Sequence, residues 1–398
     1  MRKDKRKQVN ENNHSSYYQF GYDTFGPFLF GFSRWLYSNV SCNDYNKVFF
    51  FSRDGYMMEK AFSILNEDGI KNEYVYFSRN SIRQALLWRT KDYNDSLRYL
   101  TWERFYSYGK ILEYYGFKEG EREQLSREYG FELSKDISNK QLSDNLLLKK
   151  LFNDNKQIIH KRSKEQDSLL LQYTQQIGMT GDCAIVDIGW HGSMQYYLEQ
   201  FFEQHGINTT LDGYYVGILP NVPLKGSCDG YIYNREKPKL RKHLLCFFGG
   251  YEKLFQSQEG STIGYIETYN KIIKPRLGEY EYSNNEDADV IESIKEWQQG
   301  ALDYIVQINN REQYSDKALT KPLINFGRKP HLKDVQLMSF FYNNEGSRAY
   351  YTTQKKLREY SPHELMHDLS NSPWKTGFMK SAFKVPFPYY AIYEAIRK

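Results

Sequence analysis

The sequence predicts an α/β protein: a mostly parallel sheet with flanking helices, a helical insert and a mainly helical C-terminal region. Three observations predict it. Short apolar runs at Lys47–Phe51, 74–77 and 183–188 are each followed by a polar turn and then by apolar residues at helical spacing. These runs are apolar at successive positions instead of alternating, as strands covered on both faces are. Between the second and third units lie residues 89–180, polar and dotted with Leu and Tyr, with little strand character.

The elements follow in order. Residues 1–16 are polar and read as a disordered basic tail. Proline suits a first helical turn, so a helix starts near Gly26-Pro27. It is apolar nearly all round through Trp35-Leu36, and so is buried. Lys47–Phe51 leads through Ser52-Arg53-Asp54-Gly55 into a helix at 56–65, and 74–77 leads through Ser78-Arg79-Asn80-Ser81 into another. The first part of the α/β core is thus 17–88. The insert, 89–180, reads as a lid or an acceptor-binding subdomain. The core resumes over 181–283: strand 183–188, the turn Gly189-Trp190-His191-Gly192-Ser193, helix 194–205, strands at 212–219 and 230–233, a helix at 244–255 and a hairpin or bent strand at 260–274. Residues 284–398 form a helical and aromatic C-terminal region that begins with a helix at 288–307.

Composition bounds the function. The 398 residues are 26% charged and 40% hydrophobic, which is a globular balance. The net charge of +5 is too mild to imply nucleic acid. No apolar run approaches the ~20 residues of a membrane span, and the basic start lacks the apolar stretch of a secretory signal. The expected compartment is therefore the cytoplasm. The cysteines, Cys42, Cys183, Cys228 and Cys246, form no CxxC pair and are expected reduced. The run Lys237-Pro238-Lys239-Leu240-Arg241-Lys242 is either a solvated face or an attractor of phosphates, on a sugar donor or at a membrane. Residues 378–387 mix basic and aromatic side chains, which fits peripheral contact at the inner membrane face or ordinary packing.

The turns carry the chemistry. A strand that ends in a glycine-bearing turn and feeds a helix is an anion site, because the helix presents unpaired N–H groups and the positive end of its dipole. In open sheets such turns gather at the carboxyl ends of the strands. Gly189 and Gly192 let backbone approach a phosphate, Ser193 offers a hydroxyl, and His191 can donate to a phosphate or take a proton. Asp187 ends its strand, where it accepts from sugar hydroxyls or holds magnesium; the plainer alternative has Ser193 capping the helix and Asp187 bonding local backbone. Arg53 and Arg79 suit phosphate oxygens. Asp54 is a candidate acid, base or metal ligand, or else a helix cap. Glu252 is a further candidate carboxylate, whereas Glu259 reads as ordinary helix surface.

Other chemistries are excluded. The haloacid-dehalogenase nucleophile needs Asp-x-Asp, and here Ser52 stands two before Asp54, with no evident base to activate it. No phosphatase is expected from this turn. There is no GxGxxG, P-loop, GxSxG or HExxH.

Taken in order, Gly26-Pro27, Phe51-Ser52-Arg53-Asp54-Gly55-Tyr56, Tyr76-Phe77-Ser78-Arg79, Val186-Asp187-Ile188-Gly189-Trp190, Gly192-Ser193-Met194-Gln195, Glu252 with Gly260-Ser261 and Gly264-Tyr265, and Trp374 with Gly377 resemble the transferase half of bacterial dual-domain ribofuranosyltransferases. Such proteins often carry the label of haloacid-dehalogenase-superfamily hydrolases. The resemblance spans about 17–380. It implies transfer of 5-phosphoribose from phosphoribosyl diphosphate to a glycan hydroxyl during surface-polysaccharide assembly, on a lipid-linked or oligosaccharide acceptor. Asp54, Asp187 and Glu252 would be catalytic. Ser52, Arg53, Gly55, Arg79, Gly189, Trp190, His191, Gly192, Ser193 and Gln195 would bind the donor, with magnesium on Asp187 or Asp54. The family's N-terminal phosphatase domain does not precede the match, so either a separate phosphatase acts as partner and removes the 5-phosphate, or the 5-phosphate stays on the product. The competing expectations are a nucleotide-sugar-dependent glycosyltransferase and a non-catalytic polysaccharide-assembly module.

Overall fold

A computed structural model describes residues 14–100, 105–308, 314–344 and 348–396. Its centre is a five-stranded, all-parallel sheet. In chain order the strands are β1 (Lys47–Phe51), β2 (Asn72–Val75), β3 (Gly181–Trp190), β4 (Thr209–Ile218) and β5 (Cys228–Tyr233), and in space they run β2-β1-β3-β4-β5. The predicted α/β class with its parallel sheet is what the structure has.

The continuous apolar runs are explained by two cores. Successive strand residues point to opposite faces. Val48, Phe50, Ala184 and Val186 enter one cluster, together with helix α1 (Gly26–Val40), helix α2 (Gly55–Leu65) and much of the C-terminal region. Phe49, Phe51, Cys183 and Ile185 enter the other, with helix α3 (Arg79–Leu86) and the insert. A strand buried on both faces has no position for a polar side chain, hence the unbroken Val-Phe-Phe-Phe of β1.

The insert is dominated by α4 (Leu146–Gln176), 31 residues long, and also contains a small antiparallel pair, Phe105–Ser107 with Asp136–Ser138. After β3 comes α5 (Ser193–Gln204). The expected single helix over 244–255 is two, α6 (Arg241–Leu245) and α7 (Phe248–Phe255). Phe247 breaks the run: it leaves helical backbone, and its ring lies so close to Gly250 that a Cβ there would sit 2.0 Å from it. The expected hairpin pairs Thr262–Glu267 with Ile273–Leu277. Helix α8 (Ala288–Gln307) opens the C-terminal region, which is mainly helical apart from one small strand pair.

Boundaries differ from expectation at the tail and at β2. Residues 1–13 of the predicted tail lie outside the described residues. Its last residue, Ser16, begins a helix that Ser15 caps, and Ser15 also donates to Glu296 at 2.6 Å. β2 lies two residues earlier than expected, because its pairing with β1 (Val48 with Asn72, Phe51 with Val75) recruits the polar Asn72 and Glu73. All four cysteines are free thiols. Among the described residues, no helix is long and apolar enough to cross a membrane.

Candidate active site

The sheet topology decides where a site can lie. From β1 the chain steps outward to β2, then returns through the insert to the other side of β1 and continues outward through β3, β4 and β5. The strand order therefore reverses between β1 and β3. In open parallel sheets the crevice for ligands opens outside the carboxyl ends of the strands at that reversal. Phe50 is in register with Val186, so Asp187 lies level with Phe51, and the turn bearing Asp54 follows at once. Asp54 and Asp187 thus flank the reversal point from adjacent strands.

Both carboxyls are perturbed. Asp187 is buried and its pKa is pushed up to about 7. Burial is the main cause and Glu252 adds to it, opposed by the backbone N–H groups of Ile188 and Gly189 and by Arg79. Asp54 is half-buried, at the head of α2, and makes no capping hydrogen bond. Its pKa is held well above the usual carboxylate range by burial first, then by Glu252 and by Asp187; Arg53 and Arg79 oppose this. Glu252, on α7, joins them by accepting a hydrogen bond from Trp190 Nε1 at 3.2 Å. Trp190 delivers that indole from a left-handed backbone conformation with φ of 72°. A non-glycine residue in that region costs about 1–2 kcal/mol, and such outliers concentrate at functional sites.

Cationic groups rim the cluster. Arg79 is the first residue of α3, exposed, and makes no ion pair or hydrogen bond among the described residues. Arg241, at the start of α6, also lacks an ion pair there; its Nε is buried without a hydrogen-bond partner, and its Nη2 lies 3.5 Å from His191 Nε2. Partial burial, Arg241 and Arg79 together hold the His191 pKa below its ordinary value, against a hydrogen bond that the ring gives to the Leu219 backbone carbonyl. His191 therefore stands under the field of both arginines. Next to it, α5 begins at Gly192 with no side-chain cap, and Ser193 Oγ, half-buried, has no partner among the described residues. Ser193 is inside the helix, not its cap.

Several predicted site residues are placed otherwise. Gln195 is fully buried, with its amide fully engaged: Nε2 donates to Leu211 O, Ser227 O and Glu199, and Oε1 accepts from Tyr215. It ties α5 to the sheet and does not reach the crevice. Ser52 is buried and donates to Phe77 O at 3.3 Å; the Ser52–Arg53 peptide is cis. Arg53 is held by Glu281, 3.6 Å away, and by Glu259 O at 3.5 Å. Gly55 is a packing position, since a Cβ there would lie 2.8 Å from the Phe50 carbonyl carbon. Gly189 combines φ of 105° with contact to β4, where a Cβ would meet Gly217 O at 2.5 Å. Gly192 has φ of 71°. These glycines serve the fold at the places where phosphate approach was expected.

Other residues at the site were missed. Arg241 lay in a basic run whose function the sequence left open, and only β5 brings it to the carboxyl edge. Lys253 is buried and ion-paired with Glu281. Burial lowers its pKa, with Glu281 opposing. Glu259, expected on plain helix surface, accepts from Tyr74 at 2.9 Å and from Tyr76 at 3.4 Å.

Among the described residues no three His, Cys, Asp or Glu side chains are arranged as a metal cage. Magnesium does not require one: it commonly uses one or two carboxylates plus substrate phosphates. Asp54 and Asp187, crowded carboxyls with raised proton affinity, fit that mode of binding. Two half-open clefts, one of about 290 Å³ beside Gln84, Tyr114 and Arg276 and one of about 280 Å³ beside Pro220 and Asp229, are lined by none of Asp54, Asp187 and Glu252. In comparisons with known proteins, no family model matches this chain and no curated protein matches it.

Proposed function

We propose that this chain is a glycosyltransferase of surface-polysaccharide assembly that moves 5-phosphoribose from phosphoribosyl diphosphate to a glycan hydroxyl in the bacterial cytoplasm. One observation supports the reading: a crowded carboxyl cluster at the topological reversal, rimmed by two arginines that form no ion pair among the described residues and by an uncapped helix start. That combination suits a ligand with two anionic ends and a hydroxyl-bearing middle.

In this reading one phosphate rests on the α5 N-terminus, where Ser193, His191 and Arg241 converge, and the opposite phosphate faces Arg79. Arg53 supports the turn through Glu281 instead of binding the donor. Asp187 accepts from the pentose hydroxyls. Asp54, the reachable carboxyl, takes the proton from the acceptor hydroxyl as its oxygen bonds to the anomeric carbon and the diphosphate departs. Carboxylates beside that carbon stabilise the positive charge that develops there. Glu252, fixed by Trp190, holds its charge in place for the same purpose. Magnesium, when bound, neutralises charge on the leaving diphosphate.

The test is mass spectrometry of a synthetic acceptor incubated with protein, magnesium and phosphoribosyl diphosphate. A gain of one phosphopentose is expected. Transfer from a nucleotide sugar in its place, or no transfer together with no donor-induced rise in melting temperature, rejects the reading.

A further inference from the structure

We propose that residues 383–396 form a rigid tip that docks this protein on an anionic membrane surface. The observation is a run of six exposed residues, Phe383-Lys384-Val385-Pro386-Phe387-Pro388, in which Lys384 is the only polar side chain. Phe383, Val385 and Phe387 are each about half exposed, at 45%, 51% and 53%. Large apolar side chains that adjoin one another on a surface mark an interaction site more often than scattered ones do.

These adjoin. The Phe383 ring stacks on Tyr389, with centroids 6.3 Å apart, and the Phe387 ring meets the same tyrosine at 5.6 Å. The stripe continues along the helix Tyr389–Ile396, where Ile392 and Ile396 are exposed four residues apart, on one face.

The tip is also fixed in place. Lys384 ends the preceding helix in a left-handed conformation, φ 59°. Lys380 Nζ and Tyr389 Oη both donate to Val385 O, at 3.0 and 3.2 Å. The two prolines stiffen the loop further. A fixed loop inserts apolar side chains without first losing conformational freedom.

Charge selects the occupant. Lys384 lies within the tip and Lys380 at its base. Thr353, which bonds Ser381 at 2.6 Å, brings the exposed Lys356 alongside; Lys355 next to it is paired with Glu364 at 3.3 Å, and the exposed acid on the tip helix is Glu394. Aromatic and aliphatic side chains among lysines fit the boundary between acyl chains and anionic headgroups. The helix that follows the tip packs Tyr390 against His243 of α6, the helix that Arg241 begins. Docking would therefore set the height of the crevice rim above the lipid. Lipid binding is measured without donor or acceptor, so it stands or falls separately from the transfer reaction.

The experiment is flotation of the full chain with phosphatidylcholine vesicles, with and without phosphatidylglycerol, at low and high salt. Wild type should float with the anionic vesicles and be weakened by salt. Lys384→Glu should lower the partition coefficient about fivefold, and the double variant Phe383→Ser/Phe387→Ser roughly tenfold or more, with the melting temperature unchanged. If the double variant fails to fold, Val385→Asp, at a half-exposed side chain, repeats the test. No flotation with anionic vesicles, or flotation that none of these variants alters, overturns the proposal. So does light scattering that finds a wild-type dimer and a monomeric double variant, since a second copy would then cover the patch.

Discussion

Asp54, in the turn after β1, and Asp187, on the adjacent parallel strand β3, are near neighbours, and Asp187 raises the proton affinity of Asp54. Among the described residues neither carboxyl has an ion-pair partner, so neither is committed to another side chain. Replacing either should stop chemistry without unfolding the protein. Asp54→Asn and Asp187→Asn are each expected to lower transfer by roughly 10²–10⁴-fold, as measured by product formation at saturating donor. Full activity in both variants would remove the proposed roles.

The same shifts fix how stability depends on pH. Asp187 has its folded pKa raised from 3.8 to about 7. The folded state therefore binds the proton more tightly than the unfolded chain does. Its stabilising contribution is complete below about pH 4 and is lost as pH rises through 7. Asp187→Asn removes that dependence. Denaturant titrations should show little difference between variant and wild type near pH 4, and a relative gain for the variant that grows to as much as roughly 4 kcal/mol by pH 8. A difference that stays constant across this range would mean that Asp187 is not buried as described.

The arginines at the rim divide into two kinds. Among the described residues Arg79 and Arg241 form no ion pair, whereas Arg53 is held by Glu281. Arg79→Ala and Arg241→Ala should each raise the donor KM by roughly 10- to 100-fold, the worth of a hydrogen bond to a charged group, with melting temperature unchanged. The loss should shrink at high salt. Arg53→Ala should instead lower the melting temperature, because it strips Glu281 of one of its two cations. Donor titrations followed by thermal shift separate the two behaviours.

Legibility from sequence followed the physics of each feature. The strands were readable because burial on both faces leaves no polar position, as Phe49 and Phe50 show by entering opposite cores. β2 was misplaced because its pairing to β1 overrides the polarity of Asn72 and Glu73. The Asp54 turn was readable because it follows an apolar strand directly; Asp187, expected to end its strand, lies within β3, whose pairing with β4 continues to Trp190. That the two are neighbours was not readable, since it depends on β3 returning beside β1 after the whole insert. Gln195 lay in the right motif, but its side chain turns into the sheet, and helix phase alone does not reveal which buried carbonyls an amide will meet. Arg241 was hidden for the converse reason: it sits outside any strand–turn–helix motif and reaches the crevice only through the strand order.

Trp190 and Glu252 offer a test of positioning. The indole holds the carboxyl at 3.2 Å from a backbone conformation that disfavours any side chain. Trp190→Phe keeps the ring and removes the donor. We expect kcat to fall about tenfold with donor KM nearly unchanged, because Glu252 would lose its orientation while the phosphate contacts remain. Loss through KM alone would place Trp190 in donor binding instead.

The final prediction concerns the ion network beneath the turn. Lys253 is buried, and its cation pairs with Glu281 and lies 4.9 Å from the ring centre of Tyr282. Burial alone would raise the Glu281 pKa, but Lys253 and then Arg53 pull it below its ordinary value. Truncating the lysine leaves a mostly buried carboxylate held by Arg53 at 3.6 Å and by a hydrogen bond from Gln256 Nε2 at 3.3 Å. Breaking a buried pair on one side typically costs about 3–5 kcal/mol, whereas replacing both partners by apolar groups of like volume is often near neutral. Lys253→Met should therefore lower stability by roughly 3 kcal/mol, and Lys253→Met with Glu281→Leu should recover much of it. The double variant frees Arg53, so its donor KM should move even where its stability is restored. Chemical denaturation paired with donor titration reads both effects, and a single variant as stable as wild type would show that Glu281 is adequately held by Arg53 and Gln256.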